Sequence, residues 1–466
     1  MSSKSGQPLP EPRRPYRVIA LVVAFALFMQ QLDATILSIA LPAMSRDFGI
    51  PASGLSLALT SYLVALAVFI PASGGLADRF GSRTIFCAAI AIFMAGSIAC
   101  AQSSTLAELV AARLFQGIGG AMMVPVGRLV LLRSVEKEDL VAALSWLVMP
   151  ALVGPIVGPP IGGLIVTYLD WRWIFYLNIP IGVVGLGLAV WLMPQIKSAA
   201  VARFDMAGFL LSGIALGSLV FGLELVTHPM SVAVIAALLG CGCLFAAIYF
   251  RHAQRVTDPI LDLSLFRTPT FGLSVAGGTL IRIAQGAQPF LLPLLFQLGF
   301  GLSAATAGAI MMANALGALA MKPLAPLIIR RFGYRASLAG ASVGASIAIA
   351  SCALFSPGWP HIALATILFV SGFFTSLLFT GYNAMAFVDL DERTMSAATS
   401  LYATFQQLSL SLGICFAASL LELGGPTSVD TIAPVFVIIG MTAFGATFIN
   451  RKIPTVAPGA SKVGEP

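Results

Sequence analysis

Charged residues are scarce in this 466-residue chain, at 10% of the total, while hydrophobic residues make up 58%. The mean hydropathy is +0.95, which would leave a water-soluble fold with an apolar exterior. An ordinary soluble domain is therefore excluded, and lipid is the solvent that suits the chain. Short alternating strands are also missing, so the apolar stretches of about 20 residues predict membrane-spanning helices and not a β-barrel.

Cysteine and histidine are too dispersed to form a catalytic or metal site. All six cysteines fall inside apolar segments, where they act as small hydrophobes and predict no disulfide. The three histidines lie far apart, at span ends or in loops: His228, His252 and His361. No Gly-Lys pair occurs, so the phosphate-binding loop of ATP-driven proteins is absent. We expect no metal, no cofactor and no direct use of ATP by that route.

Charges, Pro/Gly punctuation and polar loops divide the chain into fourteen apolar segments. Their limits are 17–44, 54–77, 84–101, 106–131, 139–167, 172–193, 205–225, 230–250, 269–299, 303–329, 335–355, 360–387, 394–421 and 431–450. The sequence therefore predicts an all-α polytopic membrane protein with fourteen transmembrane helices.

Lysine and arginine are distributed unevenly between the two sides that this count defines. An even number of helices puts both termini on one side, and that side holds 21 of the 26 Lys and Arg residues. The opposite side holds Arg46 and Arg172, and three further arginines lie within spans. The positive-inside rule then predicts cytoplasmic termini, and the lack of a targeting sequence favours a bacterial inner membrane. The net charge of +7 therefore needs no nucleic-acid partner.

The chain contains an internal repeat with an offset of 252 residues. It superimposes Pro71, Arg79, Phe80, Gly81 and Arg83 on Pro323, Arg331, Phe332, Gly333 and Arg335. Each set follows the second span of its half, which predicts two six-helix bundles joined by an inserted helix pair. The predicted organisation is a cytoplasmic tail (1–16), an N-terminal bundle (17–193), the inserted pair (194–250), a cytoplasmic linker (251–268), a C-terminal bundle (269–450) and a second cytoplasmic tail (451–466). Two repeats around a central site are typical of alternating access.

A turn rich in glycine and charge follows the second span: Gly74-Gly75-Leu76-Ala77-Asp78-Arg79-Phe80-Gly81-Ser82-Arg83. Glycine permits a tight turn, and Asp78 with the arginines can form charge-assisted bonds across two bundles. The stretch resembles the cytoplasmic loop signature of the major facilitator superfamily, which implies the major facilitator fold and a loop that latches the outward-facing state. The candidate gating residues are Gly74, Asp78, Arg79, Gly81 and Arg83. Plain positive-inside anchoring is the alternative, and it leaves Asp78 unexplained.

The fifth span contains a second motif, Gly154-Pro155-Ile156-Val157-Gly158-Pro159-Pro160-Ile161-Gly162-Gly163. Glycines at four-residue spacing allow a neighbouring helix to pack closely, and prolines bend the span. The stretch resembles the antiporter signature of drug:proton exporters, which implies export by exchange. The candidate residues are Gly154, Pro155, Gly158, Pro159, Gly162 and Gly163. The alternative is a packing seam with no bearing on transport direction.

Further motifs in several spans narrow the resemblance. They are Leu32-Asp33-Ala34-Thr35 with Ala40-Leu41-Pro42, Arg113-Leu114-Phe115-Gln116-Gly117, Trp171-Arg172-Trp173-Ile174-Phe175 and Asn178-Ile179-Pro180. Together they resemble the fourteen-span drug:proton antiporter branch of the EmrB and QacA type. Within that branch Arg282-Ile283 followed by Pro289-Phe290 is similar to a motif of MdtD-like multidrug transporters.

Ionisable residues inside spans are costly and mark candidate functional sites. Asp33 lies roughly 24 Å into the first span from its cytoplasmic start, and Arg113 roughly 10 Å into the fourth from its outer start. The two therefore lie at similar depth in the outer half of the membrane. We hypothesise that Asp33 accepts the coupled proton and that Arg113 tunes it, since desolvation and a nearby cation act oppositely on a carboxyl. A permanently ionised clasp that only holds helices together is the alternative.

Other polar residues within spans are candidates for a substrate cavity: Gln30, Gln31, Arg282, Asn314, Tyr382, Asn383 and Gln406. Arg282 and Arg113 would give that cavity a positive bias. A structural role for Arg282, as a partner of Asp33 or of a polar backbone turn, is an equal alternative, and so are helix-to-helix hydrogen bonds for the uncharged side chains. Arg128 and Glu224 fall near span ends, where we expect their side chains to extend to the membrane interface.

The sequence therefore predicts a secondary active transporter that exports drugs or small amphiphiles in exchange for protons. A dedicated proton-coupled exporter of an anionic metabolite, such as an organic acid or metal chelate, is the alternative. A transport-derived sensor or lipid-handling protein is disfavoured by the two intact motifs, and an enzyme is disfavoured because no catalytic cluster occurs. The expected partners are protons, a small-molecule substrate and the lipid bilayer. The expected unit is a monomer, and a periplasmic adaptor is left open.

Overall fold

The computed structural model describes residues 16–134, 140–197, 204–227, 230–391, 394–425 and 427–453, without the side chains of 16, 140–151 and 227. His228 and most of the two predicted tails lie outside these residues. Within the described ranges the regular secondary structure is helical throughout, as lipid requires of a chain that must satisfy its backbone groups internally.

Fourteen long helices occupy the described ranges, one for each predicted apolar segment. They are α1 Tyr16–Phe48, α2 Ala52–Phe80, α3 Ser82–Gln102, α4 Leu106–Ser134, α5 Leu140–Tyr168, α6 Trp173–Leu192, α7 Met206–Glu224, α8 Val232–Ala253, α9 Pro269–Leu294, α10 Ala304–Met321, α11 Ala325–Ser351, α12 His361–Met385, α13 Met395–Gly424 and α14 Val429–Asn450.

The predicted all-α polytopic fold is confirmed. Among the described residues, twelve of these helices are long and apolar enough by themselves to cross a membrane, and α5 and α9 complete the fourteen. Helix α9 is the more polar case because Arg282, Gln285 and Gln288 lie within it. A membrane helix can carry such residues when they face the interior of the protein.

Local signals explain where several helices begin and bend. The Ser303 hydroxyl accepts a hydrogen bond from the Thr306 amide at the start of α10, and Ser428 forms a capping box with Thr431 at the start of α14. Helix α9 contains Pro289 and Pro293 and runs into a π-helical turn at Leu295–Gly299. Each proline removes a backbone donor, so the irregular turn follows from the sequence.

The helices pack in two groups joined along two seams. In the first group α1 packs on α5, and α4 packs on α2 and α3; in the second α10 and α11 pack on α12, while α9 packs on α13 and α14. The seams between the groups are formed by α5 against α10 and by α2 against α13. Helices α7 and α8 pack on each other, and α7 also contacts α2 and α13.

The two ends of the molecule differ in how tightly the groups meet. We name the end where α1 begins and α14 ends the near face, and the end that holds the turn between α1 and α2 the far face. At the far face hydrogen bonds cross between the groups, from Gln297 Nε2 to the Ile39 carbonyl at 2.9 Å and from the Ala305 amide to Thr167 Oγ1 at 3.0 Å.

The apolar cores follow the same division. One buried cluster joins both groups at the far face, with Leu41 and Phe175 from the first and Phe296 and Phe436 from the second, and it continues through the second group as far as Met385 of α12. Towards the near face the core separates into distinct clusters, one built mainly on α1, α3 and α4 and another on α8, α9 and α13. The structure is therefore closed at the far face and opens between the groups towards the near face.

Candidate functional site

A buried polar network surrounds Asp33 in the middle of the first helix group. Asp33 is 4% exposed, and its Oδ2 accepts a hydrogen bond from Arg113 at 2.7 Å. Its Oδ1 accepts from Gln116 Nε2 at 2.9 Å and from Asn178 Nδ2 at 2.7 Å. Ser97 Oγ lies 2.8 Å from Gln116 Nε2. Helices α1, α3, α4 and α6 thus meet around one carboxylate.

The Arg113 side chain is held by several contacts besides Asp33. It is 1% exposed, its Nε donates to the Ala58 carbonyl at 3.2 Å, and its guanidinium lies 4.3 Å from the centre of the Tyr62 ring. Gln116 Oε1 also accepts from the guanidinium. A buried ion pair needs further hydrogen bonds to offset the cost of desolvation, and both partners of this pair make them. The pairing of Asp33 with Arg113 has the geometry that either sequence hypothesis requires.

A cavity of about 350 Å³ lies between the two helix groups. Its polar wall is amide and hydroxyl: Gln31, Thr35, Ser38, Gln285, Gln288, Asn314 and Thr375. Its apolar wall includes Pro155, Pro159, Met311 and Phe379, and none of its lining residues is charged. The walls come from α1, α5, α9, α10, α12 and α13, so both groups contribute to it.

The candidate cavity residues separate into two sets. Gln31 and Asn314 line the cavity. Gln30, Arg282, Tyr382, Asn383 and Gln406 are not among its lining residues. Tyr382 donates to Asn450 Oδ1 at 2.7 Å, and Gln406 Nε2 donates to Asn383 Oδ1 at 3.0 Å, so these side chains make the helix-to-helix bonds that were the alternative.

Two cations lie just behind the cavity wall. Arg282 is 4% exposed, donates to the Tyr402 hydroxyl at 2.9 Å and lies 5.7 Å from the centre of the Phe379 ring. Lys322, in the turn after α10, lies 5.5 Å from the same ring, and burial lowers the pKa of its ammonium. Phe379 is therefore the cavity residue through which this positive charge is closest to a bound molecule.

The glycine motif of α5 connects the cavity to α1. A side chain at Gly154, Gly158 or Gly162 would meet Gln31, Thr35 or Ile36 of α1, and one at Gly163 would meet the α10 backbone at Ala304. The spacing of four puts the first three on one face of the helix. Pro155 and Pro159, between those glycines, line the cavity. This motif therefore touches the first group, the cavity and the second group at once.

The gating loop is ordered at the near face. Asp78 accepts from Arg133 of α4 at 2.7 Å, so the ion pair lies within the first group and not across the groups. Gly81 has φ +95°, a left-handed conformation that favours glycine, while Gly74 and the exposed Arg79 and Arg83 surround the turn. A latch that acts across the groups would be released in a structure that is open at this face.

The repeated loop has the same geometry. Gly333 has φ +73°, and Arg331 lies 5.5 Å from the Phe332 ring centre, the distance that separates Arg79 from the Phe80 ring. The sequence repeat at an offset of 252 residues is therefore also a structural repeat at this turn.

Comparison with known proteins gives one family. Residues 23–414 match the model described as the Major Facilitator Superfamily. The “Putative multidrug resistance protein MdtD” of Citrobacter koseri is 40% identical over 409 residues, which cover 87% of this chain and 86% of that protein. The protein of that name in Escherichia coli O6:H1 is 40% identical over 413 residues, covering 88% and 87%.

Solved structures show the same fold at low identity. The nucleoside transporter NupG superimposes with a TM-score of 0.68 at 14% identity, over 94% of this chain and 99% of that one. A POT family transporter in complex with a thioalcohol-conjugated peptide gives 0.70 at 18% identity, over 93% and 94%.

Proposed function

This chain belongs to the Major Facilitator Superfamily, and on that premise we propose that it exports drugs or other small amphiphilic molecules in exchange for protons. It is a multi-pass membrane transporter by family. The names of its MdtD relatives and the antiporter-like motif of α5 support drug export as the direction and cargo. The single observation that carries the coupling is Asp33, buried in the network that Arg113, Gln116 and Asn178 complete.

We propose that the near face is cytoplasmic. Nearly all Lys and Arg residues in loops belong to it, while Arg46 and Arg172 belong to the far face. The bacterial origin of the relatives supports the inner membrane as its location. The transport unit is the monomer, because both helix groups and the cavity between them come from one chain.

In this proposal the cavity is exposed to each side in turn. The present structure is closed at the far face, and rocking of one group against the other along the α5–α10 and α2–α13 seams would close the near face. Asp78 would then break its ion pair with Arg133, or Arg133 would contact Asp78 and the second group at once, as the resemblance of this loop implies.

The proton is proposed to act through α1. Asp33 Oδ2 is occupied by Arg113 in this state, so protonation of that oxygen requires the guanidinium to move away. A protonated carboxyl keeps acceptors for Gln116 and Asn178 but no longer needs a cation. Thr35 follows Gln31 by one helical turn on the cavity side of α1, and it packs against Gly158. A shift of α1 would therefore change the cavity and the α5 contact together.

The second candidate is export of an anionic metabolite. Its support is that the cavity lining holds no carboxylate, whereas Arg282 and Lys322 both approach the Phe379 ring. A lipophilic cation would gain only aromatic and amide contacts there, whereas a carboxylate against Phe379 would be attracted by Arg282 and Lys322, which lie 5.7 and 5.5 Å from the centre of that ring.

The test is proton flux in liposomes that contain the purified protein and an internal pH dye. Lipophilic cations and organic anions are offered in turn under an imposed proton gradient. Flux driven by cations supports drug export, and flux driven only by anions supports the second candidate. Asp33→Asn should abolish the coupled flux, and Asp47→Asn, which alters an exposed carboxylate of the same helix, should keep it. A folded Asp33→Asn protein with normal coupled flux would refute the role of Asp33.

A further inference from the structure

The first helix of each group, α1 and α9, presents the same spacing of side chains to the central cavity. The lining residues are Gln31, Thr35 and Ser38 on α1 and Gln285, Gln288, Pro289 and Leu292 on α9. Spacings of three, four and seven put each set on one face of its helix. Both helices begin at the near face, and Gln31 lies fifteen residues after the start of α1 while Gln285 lies sixteen after the start of α9. One glutamine from each group therefore enters the cavity at similar depth.

These two glutamines, which we name the amide pair, differ from the other amides of the cavity. Neither side chain makes a hydrogen bond to another described residue. By contrast, Gln288 Nε2 donates to Ser371 Oγ at 3.0 Å, and Asn314 Nδ2 donates to the Leu368 carbonyl at 3.3 Å. An amide carries two N–H donors and a carbonyl acceptor, all of which need partners once water is excluded. A molecule that fills the cavity must therefore supply these partners to the amide pair.

The remainder of the wall suits an apolar body. Pro155, Pro159, Met311, Leu410 and Phe379 all line the cavity. Its volume of about 350 Å³ is in the usual range for small-molecule sites, roughly 300–1,000 Å³. The cavity is therefore shaped for a molecule with an apolar body and a polar group within reach of the amide pair.

The buried carboxyls of the described ranges lie away from this wall. Asp33 is held in its own network, and Glu224 is 2% exposed at the end of α7. That end packs against α2 and α13, so Glu224 does not reach the membrane interface, which its position near a span end predicts. Arg128 is exposed as expected. Residues 140–151 of α5, whose side chains are outside the described set, include no charged residue in the sequence.

A charged ligand would therefore lose its hydration in this cavity without a counter-ion in direct contact. Arg282 and Lys322 lie behind the Phe379 ring and are not among the lining residues, so they attract an anion without replacing its water. Burying a charge without such compensation costs far more than burying a neutral polar group that is hydrogen-bonded. The lining consequently favours an uncharged polar group.

The chemistry of the amide pair narrows that group further. A carboxylate supplies acceptors only and an amidinium supplies donors only, so each leaves some groups of the two glutamines unpaired. A carboxamide or lactam supplies both. We propose that Gln31 and Gln285 determine specificity by binding an uncharged group that both donates and accepts hydrogen bonds, carried on an apolar body. This assignment rests on the proposed export of small amphiphiles, and it narrows their chemical class.

Three probes of the same shape and different charge test the proposal: 2-naphthamide, 2-naphthoate and 2-naphthamidinium. Their binding to full-length protein in lipid nanodiscs is measured by isothermal titration calorimetry at pH 8, with empty nanodiscs as the blank for partition into lipid. We expect naphthamide to bind at least about tenfold more tightly than either charged probe, the effect of leaving one polar group unpaired. A charged probe that binds as tightly as naphthamide, or naphthamide without saturable binding, would overturn the inference.

Removing either amide should weaken this binding. Gln31→Met and Gln285→Met keep the side-chain length, and each should weaken naphthamide binding by about three- to tenfold, the value of one hydrogen bond. Gln407→Met is the matched control, because Gln407 is a half-buried glutamine of α13 that does not line the cavity. It should leave binding unchanged. Unchanged binding in both Gln31→Met and Gln285→Met would refute the role of the amide pair.

A charge swap separates recognition from a structural role. Gln285→Glu replaces the amide by a carboxylate that accepts but does not donate, so it should reverse the ranking and favour naphthamidinium. A structural role would lower the binding of all three probes alike, and an unchanged ranking would count against the proposal. If Gln31→Met does not fold, the two Gln285 variants decide.

Binding and coupled transport are measured separately, so the two proposals can fail separately. Naphthamide that binds with the expected ranking but drives no proton flux in liposomes would support the amide pair and count against export by exchange. Proton flux driven equally by all three probes would support export by exchange and overturn the selectivity assigned to Gln31 and Gln285.

Discussion

Replacing Arg113 by methionine should lower the free energy of unfolding far more than the change in side-chain volume suggests. The change leaves the Asp33 carboxylate at 4% exposure with two amide donors and no cation. Removing one partner of a buried ion pair costs about 3–5 kcal/mol. The upper part of that range applies here, because the guanidinium also bonds the Ala58 carbonyl and stacks on Tyr62.

The double variant isolates the charge from the volume. In Asp33→Asn/Arg113→Met no charge remains, so the desolvation cost of the orphaned carboxylate disappears and only lost packing and hydrogen bonds remain. We expect it to be more stable than Arg113→Met by about 2 kcal/mol or more, and the cycle completed with Asp33→Asn alone then gives the coupling energy between the two residues. The free energy of unfolding of each variant is measured by SDS-induced unfolding of the protein in bicelles, followed by circular dichroism at pH 8.

A partly exposed ion pair that includes Asp47 of the same helix supplies the control. Arg172 lies 3.0 Å from Asp47 with both side chains partly exposed, at 31% and 42%. The cycle built on Asp47→Asn and Arg172→Met should give a coupling of about 0–1 kcal/mol. A coupling at Asp33–Arg113 no larger than this would refute the argument that burial makes the network essential.

Two further predictions concern glycines and use the same unfolding assay. Gly158→Ala should lower the free energy of unfolding by about 1–3 kcal/mol, because its Cβ would collide with Thr35 Oγ1. Thr35→Ala in the same chain should recover most of that loss. No recovery would show that the close approach of the two helix backbones is limiting. Gly81→Ala should lower the free energy of unfolding more than Gly333→Ala does. Both positions have a positive φ, which costs a residue with a Cβ about 1–2 kcal/mol, but of the two only Gly81 is also crowded, by the Gln195 side chain. Equal losses would show that the Gln195 side chain moves away freely.

The fold could be predicted closely because its signals are local and repeated. Apolar length, loop charge and Pro/Gly punctuation act segment by segment in lipid, so the fourteen predicted segments match fourteen helices even where α9 carries Arg282. The repeat at Gly81 and Gly333 was readable because a left-handed turn favours glycine at both positions.

The sequence predicts how deep the site residues lie in the membrane, but only partly in which direction their side chains point. Counting residues along a helix gives height in the membrane, and it correctly put Asp33 beside Arg113. It gives no rotation about the helix axis, so Gln31 lines the cavity while its neighbour Gln30 is buried in the first group. Arg282 likewise donates to the Tyr402 hydroxyl and is not among the residues that line the cavity.

Some residues that complete the site were visible in the sequence without a role. Gln116 and Asn178 lie in the motifs that suggested the family, yet nothing in their spacing shows that both donate to Asp33. Gln285, Gln288 and Thr375 escaped because an amide or hydroxyl within a span is as easily used in helix packing.

The position of α7 also makes the two seams between the helix groups differ in their exposure to lipid. One seam, between α2 and α13, has α7 packed on it and so has little contact with the lipid chains. The other, between α5 and α10, carries an apolar crevice of about 380 Å³ lined by Phe25 and Phe28 of α1, Ile156 of α5 and Leu319 of α10. These helices also line the central cavity, so we expect a molecule dissolved in the bilayer to reach the protein at the α5–α10 flank, which α7 does not cover.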